Sequence, residues 1–138
     1  MLANVANRMY EMNLDGYQLC TRNMIMYPDL SVAGRLFGGK LLGWIDEAMA
    51  MQAMSVMKTQ EIVTKQISEV NFLAPALLGD VLEIWGREVR RGQSSLTLEG
   101  KVIVRREVEE LQEVVSICDC TIVFVAINKK GKPRVWKK

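Results

Sequence analysis

The segment that most constrains this chain is a pair of glycines, Gly38 and Gly39, at the predicted start of a long helix. Two turns later the same helix carries a single aspartate, Asp46, on a face that is otherwise small and apolar. Backbone N–H groups at a helix N-terminus attract negative charge, and a carboxylate in apolar surroundings is suited to acid–base or nucleophilic work. One short segment therefore combines a place for developing negative charge with a candidate base.

The predicted helix has two neighbouring faces when its residues are placed at intervals of about 100°. One is an apolar seam that we expect to be buried, formed by Leu42, Ile45, Met49, Gln52 and Val56. Beside it lies a band of small residues that contains the aspartate, formed by Gly39, Gly43, Asp46, Ala50 and Ala53. The band is compatible with a ligand groove around Asp46, and equally with close packing of another element in which Asp46 serves only as a cap.

The composition predicts a single domain over residues 1–138, with an N-terminal segment at about 1–17 and a basic tail at 128–138. At 138 residues, with 49% hydrophobic and 25% charged residues, the chain can bury one substantial core. Its 18 basic and 16 acidic residues give a net charge of +2, too small a field to favour nucleic acid. Because no apolar run has transmembrane length and no signal-peptide core is visible, we expect a cytoplasmic protein without membrane contact.

The chain contains no histidine. This excludes Ser–His and Cys–His catalysis within the chain and removes the commonest zinc ligand, so we expect no metal site. The three cysteines, Cys20, Cys118 and Cys120, lack metal-like spacing, and the last two are poorly placed for a disulfide on one strand. We expect all three to be reduced and buried. Any hydrolysis must then use carboxylates, backbone donors and hydroxyls.

Strand patterns occupy much of the chain outside the helix. Residues 95–105 alternate between apolar and polar side chains, and strand-like segments also occur at 18–27, 62–72, 81–91 and 114–127. Turn signals separate the strands that follow the helix, the last of them being the charged run at 105–110. This order predicts one strand, one long helix and four antiparallel strands joined by tight turns, which is an α+β layer pair.

Three motifs resemble one enzyme family. The first is Gly34-x-x-Phe37-Gly38-Gly39 followed by Asp46, and the others are VNFLAP at 70–75 with a Gly-Asp pair at 79–80, and GKPR at 131–134. Together they resemble the acyl-CoA thioesterases of the hotdog fold, especially the YciA-like bacterial acyl-CoA hydrolases, over roughly residues 19–134. The resemblance implies an antiparallel sheet of five or six strands wrapped around one long central helix.

The resemblance also implies a reaction, in which an acyl-CoA thioester is hydrolysed to free CoA and a carboxylic acid without a cofactor. In this family the N–H of a glycine matching Gly38 or Gly39 polarises the thioester carbonyl. The carboxylate matching Asp46 activates water or attacks directly, typically across a subunit interface. Many relatives have an asparagine where this chain has Ser31, whose hydroxyl can donate one hydrogen bond but lacks the amide's combined donor and acceptor. The predicted catalytic residues are therefore Asp46, Gly38, Gly39 and Ser31.

Two other regions suit the phosphates and pantetheine of CoA, because they combine cations with hydroxyls and a flexible glycine. One is the predicted turn at 90–95 and the other is the C-terminal tail. With Phe37 beside the glycine pair, the predicted substrate contacts are Phe37, Arg90, Arg91, Gly92, Ser94, Ser95, Lys132 and Arg134. The alternative is that the turn and the tail are simply solvated.

By resemblance we expect a homo-oligomer with a dimer as its unit, either a hexamer built as a trimer of dimers or a tetramer. An open sheet edge, and Trp44 and Met51 on the polar side of the helix, also favour a further contact surface. Two other functions stay open, namely acyl-CoA binding without catalysis and hydrolysis of acyl-carrier-protein thioesters. A hotdog dehydratase is disfavoured, because that branch normally relies on a histidine.

Overall fold

The computed structural model describes residues 14–137, which form one antiparallel sheet and one long helix. In chain order the elements are β1 (Gln18–Met24), a turn of 3-10 helix (Tyr27–Asp29), α1 (Gly38–Met57), β2 (Ile62–Phe72), β3 (Val81–Arg91), β4 (Ser95–Val108) and β5 (Leu111–Ala126). The strand order across the sheet is β1-β3-β4-β5-β2, and every neighbouring pair is antiparallel. The predicted hotdog architecture is confirmed, with five strands. Most of the predicted N-terminal segment, residues 1–13, lies outside the described residues.

The helix α1 lies on the sheet and contacts all five strands. The predicted seam is right at Ile45, Met49 and Gln52 but wrong at Leu42 and Val56, which are only half-buried. Contact with every strand widens the buried face, which comprises Leu41, Ile45, Ala48, Met49, Gln52, Ala53 and Met57. Neither α1 nor any other helix within residues 14–137 has the length and hydropathy of a membrane span.

Two sheet glycines let α1 pack closely. Gly86 on β3 is paired with Gly100 on β4, and both lie under the helix. A Cβ on Gly86 would overlap the Gln52 side chain, and one on Gly100 would lie 3.3 Å from Cε of Met49. Gln52 donates a hydrogen bond through Nε2 to the carbonyl oxygen of Gly86 at 3.1 Å, so its buried amide is satisfied. The position of α1 on the sheet is thus fixed by both fit and hydrogen bonding.

The position of β2 differs from the prediction of four strands joined by tight turns. β2 lies at an edge of the sheet beside β5, and residues 73–80 connect it to β3 on the other side. The two later connections are hairpins as predicted, although the charged run at 105–110 mostly extends β4. Only Glu109 and Glu110 form the turn, with left-handed φ angles of 48° and 67°. The connection after β2 is long because the chain must cross the sheet before it can pair again.

The three cysteines are free thiols. Burial raises the pKa of the Cys118 thiol to about 12 and that of the Cys120 thiol to about 11. Cys20 is only half-buried, so the expectation of burial is wrong for this residue, although burial still raises its pKa. All three thiols therefore stay protonated at neutral pH.

Candidate active site

The first turn of α1 presents free backbone donors. Phe37 is the N-cap, and its carbonyl oxygen accepts a hydrogen bond from the amide of Leu41 at 3.1 Å. No side chain caps this end of the helix, and no acidic residue lies in its first turn. Within the part of the chain that the structure describes, the amides of Gly38 and Gly39 consequently donate to no acceptor. They carry the partial positive charge of a helix N-terminus.

The loop before α1 is held in place by a short set of hydrogen bonds. Oδ2 of the buried Asp29 accepts a hydrogen bond from the amide of Met26 at 2.8 Å. Farther along, the amide of Ser31 donates to the carbonyl oxygen of Arg35 at 2.7 Å. The chain reverses direction between Ser31 and Arg35 at Gly34, whose φ of +77° favours glycine. These contacts fix Ser31 and Arg35 in front of the helix.

A cavity of about 400 Å³ opens at this end of α1. Its walls are mainly apolar and come from the start of α1, from residues 72–76 after β2 and from Ile117 on β5. Ser31, Arg35 and Gly38 also line it, so two of the predicted catalytic residues meet here. Phe37 lies to one side, with its ring against Gly39 and 58% of its surface exposed. The cavity therefore has a mainly apolar lining, with the uncapped start of α1 at one wall.

Asp46 lies two turns farther along α1. It is half-buried, and its Oδ1 accepts a hydrogen bond from Oγ1 of Thr64 on β2 at 2.7 Å. The expectation of an apolar enclosure is wrong within a single chain, because a Cβ on the neighbouring Gly43 would meet nothing within 4 Å. The carboxylate therefore faces an open surface, with one oxygen held by a hydroxyl.

The two halves of the predicted catalytic set are far apart within one chain. Asp46 is eight residues after Gly38, which corresponds to about 12 Å along the axis of a helix. A general base must lie within hydrogen-bond reach of the attacking water, and a nucleophile must lie closer still to the carbonyl carbon. One chain thus holds an anion-binding wall and a carboxylate that cannot serve the same thioester.

The structure brings the predicted turn and tail together. The amide of Trp136 donates to the carbonyl oxygen of Gln93 at 3.1 Å, and its Nε1 donates to the carbonyl oxygen of Ser95 at 2.9 Å. Arg91 and Arg134 consequently share a cleft of about 400 Å³. Val56, Met57, Lys58, Trp136 and Lys137 form the rest of its lining. Four cations and one indole around one cleft suit a phosphate-bearing aromatic ligand.

The other predicted substrate contacts fall elsewhere. Ser94 and Ser95 line a separate cavity of about 290 Å³, whereas Arg90 and Lys132 are exposed and line neither of these two spaces. Gly92 is structural in the turn, because a Cβ there would overlap Oγ of Ser95. Among the described residues, there is no group of three or more His, Cys, Asp or Glu that could hold a metal ion.

Comparison with known proteins assigns this arrangement to a family. Residues 33–110 match the sequence profile of the thioesterase superfamily, a span that runs from the loop before α1 to the turn between β4 and β5. The chain belongs to the thioesterase superfamily. The matched span contains the glycine pair and Asp46, but not the C-terminal tail.

Members of the superfamily with known names or structures are similar along most of the chain. The acyl-CoA thioester hydrolase YciA of Salmonella typhimurium is 29% identical over 118 residues, which is 85% of this chain and 88% of the relative. A hexameric broad-specificity acyl-coenzyme A thioesterase, crystallised as an aspartate-to-alanine variant, superposes with a TM-score of 0.82 at 26% identity, covering 88% of this chain and 87% of that one. A hexameric thioesterase of Yersinia pestis gives a TM-score of 0.79 at 28% identity, covering 88% and 96%.

Sequence reasoning missed several residues at these candidate sites. Thr64 carries no recognisable motif, and its contact with Asp46 depends on where β2 crosses α1. Lys58 ends α1 in a left-handed conformation with a φ of 55°, which brings it to the basic cleft. Trp136 could have been noticed as an aromatic residue within a basic tail. Arg35 occurs inside the glycine motif, but its place in the cavity wall follows only from the folded loop.

Proposed function

We propose that this chain is an acyl-CoA thioester hydrolase whose reaction centre forms between two subunits. The observation that carries the proposal is the separation, about 12 Å along one helix, between the uncapped N-terminus of α1 and Asp46. The two features complement each other chemically but cannot meet within a chain. Membership of the thioesterase superfamily and the names of the relatives support hydrolysis. The hexameric neighbours support a site that uses more than one subunit.

The proposed chemistry begins at the amide donors. The amide of Gly38 or Gly39 donates a hydrogen bond to the thioester carbonyl oxygen and stabilises the negative charge that develops there. In other hydrolases one such donor is worth about 10²–10³ in rate. Asp46 of a second subunit then either removes a proton from the attacking water or attacks the carbonyl carbon itself. The carbon–sulfur bond breaks, CoA leaves as a thiolate, and solvent protonates it. Where Asp46 has attacked directly, a water molecule then hydrolyses the mixed anhydride, which releases the carboxylic acid and restores the Asp46 carboxylate.

Two side chains assist this proposed reaction. Thr64 donates to Oδ1 of Asp46, which leaves Oδ2 to face the reacting groups and holds the carboxylate in one orientation. Ser31 supplies a hydroxyl to the proposed thioester cavity, where its oxygen can accept a hydrogen bond from the attacking water and orient it. The reaction requires no cofactor, since CoA is part of the substrate and the product.

The basic cleft is the proposed site for the nucleotide of CoA. Arg134, Lys58 and Lys137 offer charge-assisted hydrogen bonds to phosphates. Arg91 is paired with Glu88 at 2.7 Å and lies over one face of the Trp136 ring, which leaves the other face for stacking of adenine. The acidic surface of an acyl-carrier protein could bind the same cations, but it has no adenine to stack on the indole of Trp136. The cleft therefore favours CoA over an acyl-carrier protein as the thiol.

The proposed assembly has a dimer as its unit and a trimer of dimers as its final form. β2 is an edge strand, and an unpaired edge is stabilised by pairing with another strand. A second surface is supplied by apolar side chains around the loop before α1, of which Tyr27, Val32 and Phe72 are all more than half exposed. Exposed apolar groups of this size favour burial against another subunit.

Release of free thiol from a panel of acyl-CoA esters of increasing chain length tests the proposed activity. We expect turnover with at least part of the panel, and weaker turnover of the corresponding acyl-pantetheine esters. The replacement of the family asparagine by Ser31 favours one other function, acyl-CoA binding without catalysis. Binding of acyl-CoA by calorimetry with no thiol release over the uncatalysed rate would support that function and contradict hydrolysis.

A further inference from the structure

Arg35 gives the cavity at the start of α1 a feature that thioester hydrolysis alone does not require. Among the described residues that line this cavity, Arg35 is the only one with an ionisable side chain. The remaining lining is apolar, apart from the hydroxyl of Ser31 and exposed backbone. Arg35 is exposed at this wall, where a guanidinium gives no benefit to an unsubstituted alkyl chain but can bind an anionic group.

The guanidinium of Arg35 is available to a ligand. Within residues 14–137 it takes part in no ion pair and no side-chain hydrogen bond. The carboxylate that precedes it in the same loop, Asp29, is already occupied by the amide of Met26 at 2.8 Å and by Nζ of Lys40 at 3.5 Å. None of the described residues that line the cavity carries a carboxylate. The positive charge at this wall is therefore not neutralised by the protein that surrounds it.

The backbone holds Arg35 at a defined place relative to the proposed oxyanion donors. The hydrogen bond of 2.7 Å between the Ser31 amide and the Arg35 carbonyl oxygen closes the loop, and the left-handed Gly34 sets its turn. Gly38, three residues later, contributes its amide to the same cavity. A short acyl group bound at this amide would occupy the cavity whose wall includes Arg35.

The geometry points to acyl-CoA substrates whose acyl chain ends in a carboxylate, with Arg35 as the residue that selects them. This inference rests on the proposed hydrolase function and names the substrate class of the same site. A guanidinium and a carboxylate form paired, charge-assisted hydrogen bonds with fixed geometry. Arg35 is exposed at the cavity wall, so its selectivity would come from the charge and the fixed geometry of the paired hydrogen bonds rather than from exclusion of water. Discrimination then occurs at the far end of the acyl chain, away from the thioester.

The test compares two substrates of equal carbon number, succinyl-CoA and butyryl-CoA, which differ only at the end of the acyl chain. We expect the wild-type protein to have the higher kcat/KM with succinyl-CoA. In Arg35→Gln, the ratio of the two kcat/KM values should fall by about tenfold or more, the effect of losing a hydrogen bond to a charged group. Arg35→Lys keeps the charge without the planar fork, so it should restore part of the ratio.

Arg90→Gln is the matched control, because it removes the same charge from an exposed residue near the end of β3. Any effect of that change falls on the CoA portion that both substrates share, so the ratio should not move. A wild-type ratio near one would overturn the inference while leaving butyryl-CoA hydrolysis as support for the proposed function. An equal loss with both substrates in Arg35→Gln would overturn it as well, since Arg35 would then serve the phosphates of CoA or the assembly. No turnover of either ester would contradict the hydrolase function itself.

Discussion

Oγ1 of Thr64 donates a hydrogen bond of 2.7 Å to Oδ1 of Asp46, which joins the middle of α1 to the edge strand β2. This contact gives the proposed catalytic carboxylate one fixed oxygen and one free oxygen. It also couples that carboxylate to the edge of the sheet, where a second subunit is proposed to pair. In the proposed assembly, the orientation of Asp46 is linked to subunit pairing through a single hydroxyl.

Replacing Thr64 by valine should lower kcat more than it raises KM. The change removes the donor at nearly constant volume, and a hydrogen bond to a charged group contributes about 1.5–3 kcal/mol, or roughly ten- to a hundredfold in rate. Thr64→Ser keeps the donor and should retain most of the rate. Thr97→Val on β4, where the side chain is half-buried and remote from Asp46, is the control for loss of a hydroxyl. Equal kcat in the wild type and Thr64→Val would contradict a positioning role.

Replacing Phe37 by aspartate should change stability and activity in opposite directions. Phe37 occupies the N-cap position with a φ of −69° and a ψ of 129°, from which an aspartate side chain can accept from the first amides of α1. Such a cap should raise the free energy of unfolding by about 1 kcal/mol. It should nearly abolish hydrolysis, because a carboxylate would occupy the proposed oxyanion donors.

Phe37→Leu separates this effect from the loss of the aromatic ring. It removes the ring without adding a cap, so its activity should exceed that of Phe37→Asp at least tenfold, the range expected for an oxyanion donor being about 10²–10³. Urea unfolding and thiol release measured on the same preparations would check both halves of the prediction. Similar activities for the two variants would argue against the helix N-terminus as the oxyanion site.

The basic cleft should act on KM for nucleotide-bearing substrates. Arg134→Gln and Trp136→Ala should each raise KM for acyl-CoA severalfold, while KM for an acyl-pantetheine that lacks the nucleotide should change much less. Arg90→Gln should have a smaller effect than Arg91→Gln, because only Arg91 lines the cleft. If the acyl-pantetheine were affected as strongly as acyl-CoA, the cleft would be structural.

The buried thiols should make the fold sensitive to alkali. An unfolded cysteine ionises near pH 9, whereas the folded pKa values of Cys118 and Cys120 are raised to about 12 and about 11. Above pH 9 the unfolded chain therefore binds fewer protons, and the free energy of unfolding falls as pH rises toward the folded values. At pH 10 each thiol lowers the free energy of unfolding by about 1 kcal/mol relative to its value well below pH 9. Urea unfolding of the wild type and Cys118→Ala/Cys120→Ala at pH 8 and pH 10 should give a smaller drop in the variant.

Much of the fold follows from local patterns in the sequence. The glycine pair marks the start of α1, and the alternation at 95–105 identifies β4, because both depend on near neighbours. The place of β2 beside β5 could not be predicted in this way, since a period of two residues does not say which strand will be the partner. Thr64 was missed for the same reason, as its contact with Asp46 exists only once β2 lies at the sheet edge.

The predicted substrate contacts illustrate a similar limit. The predicted turn at 90–95 and the C-terminal tail both contain cations, although the structure places Arg90 and Arg91 at the end of β3. Only the hydrogen bonds from Trp136 to Gln93 and Ser95 bring the two together, and they leave Arg90 and Lys132 outside the shared cleft. Which cations line the cleft depends on how the C-terminal tail folds back onto the sheet. The number and sequence positions of the charged residues do not predict that.

Asp46→Asn should retain the fold and acyl-CoA binding while losing most of the turnover, whether Asp46 is a base or a nucleophile. The amide has nearly the same volume and can still accept the hydrogen bond from Thr64 through its oxygen. Circular dichroism, calorimetric titration with CoA and thiol release would separate these properties. Full activity in Asp46→Asn would remove Asp46 from the mechanism.

Mixing two inactive variants tests the shared reaction centre most directly. Asp46→Asn keeps the amide donors and Phe37→Asp keeps the carboxylate, so each lacks one half of the proposed site. After dissociation and random reassembly in equal amounts, subunits that pair across a two-fold interface should form intact sites and recover about a quarter of wild-type thiol release. A mixture that stays as inactive as its two components would contradict a centre built from Gly38 or Gly39 of one subunit and Asp46 of another.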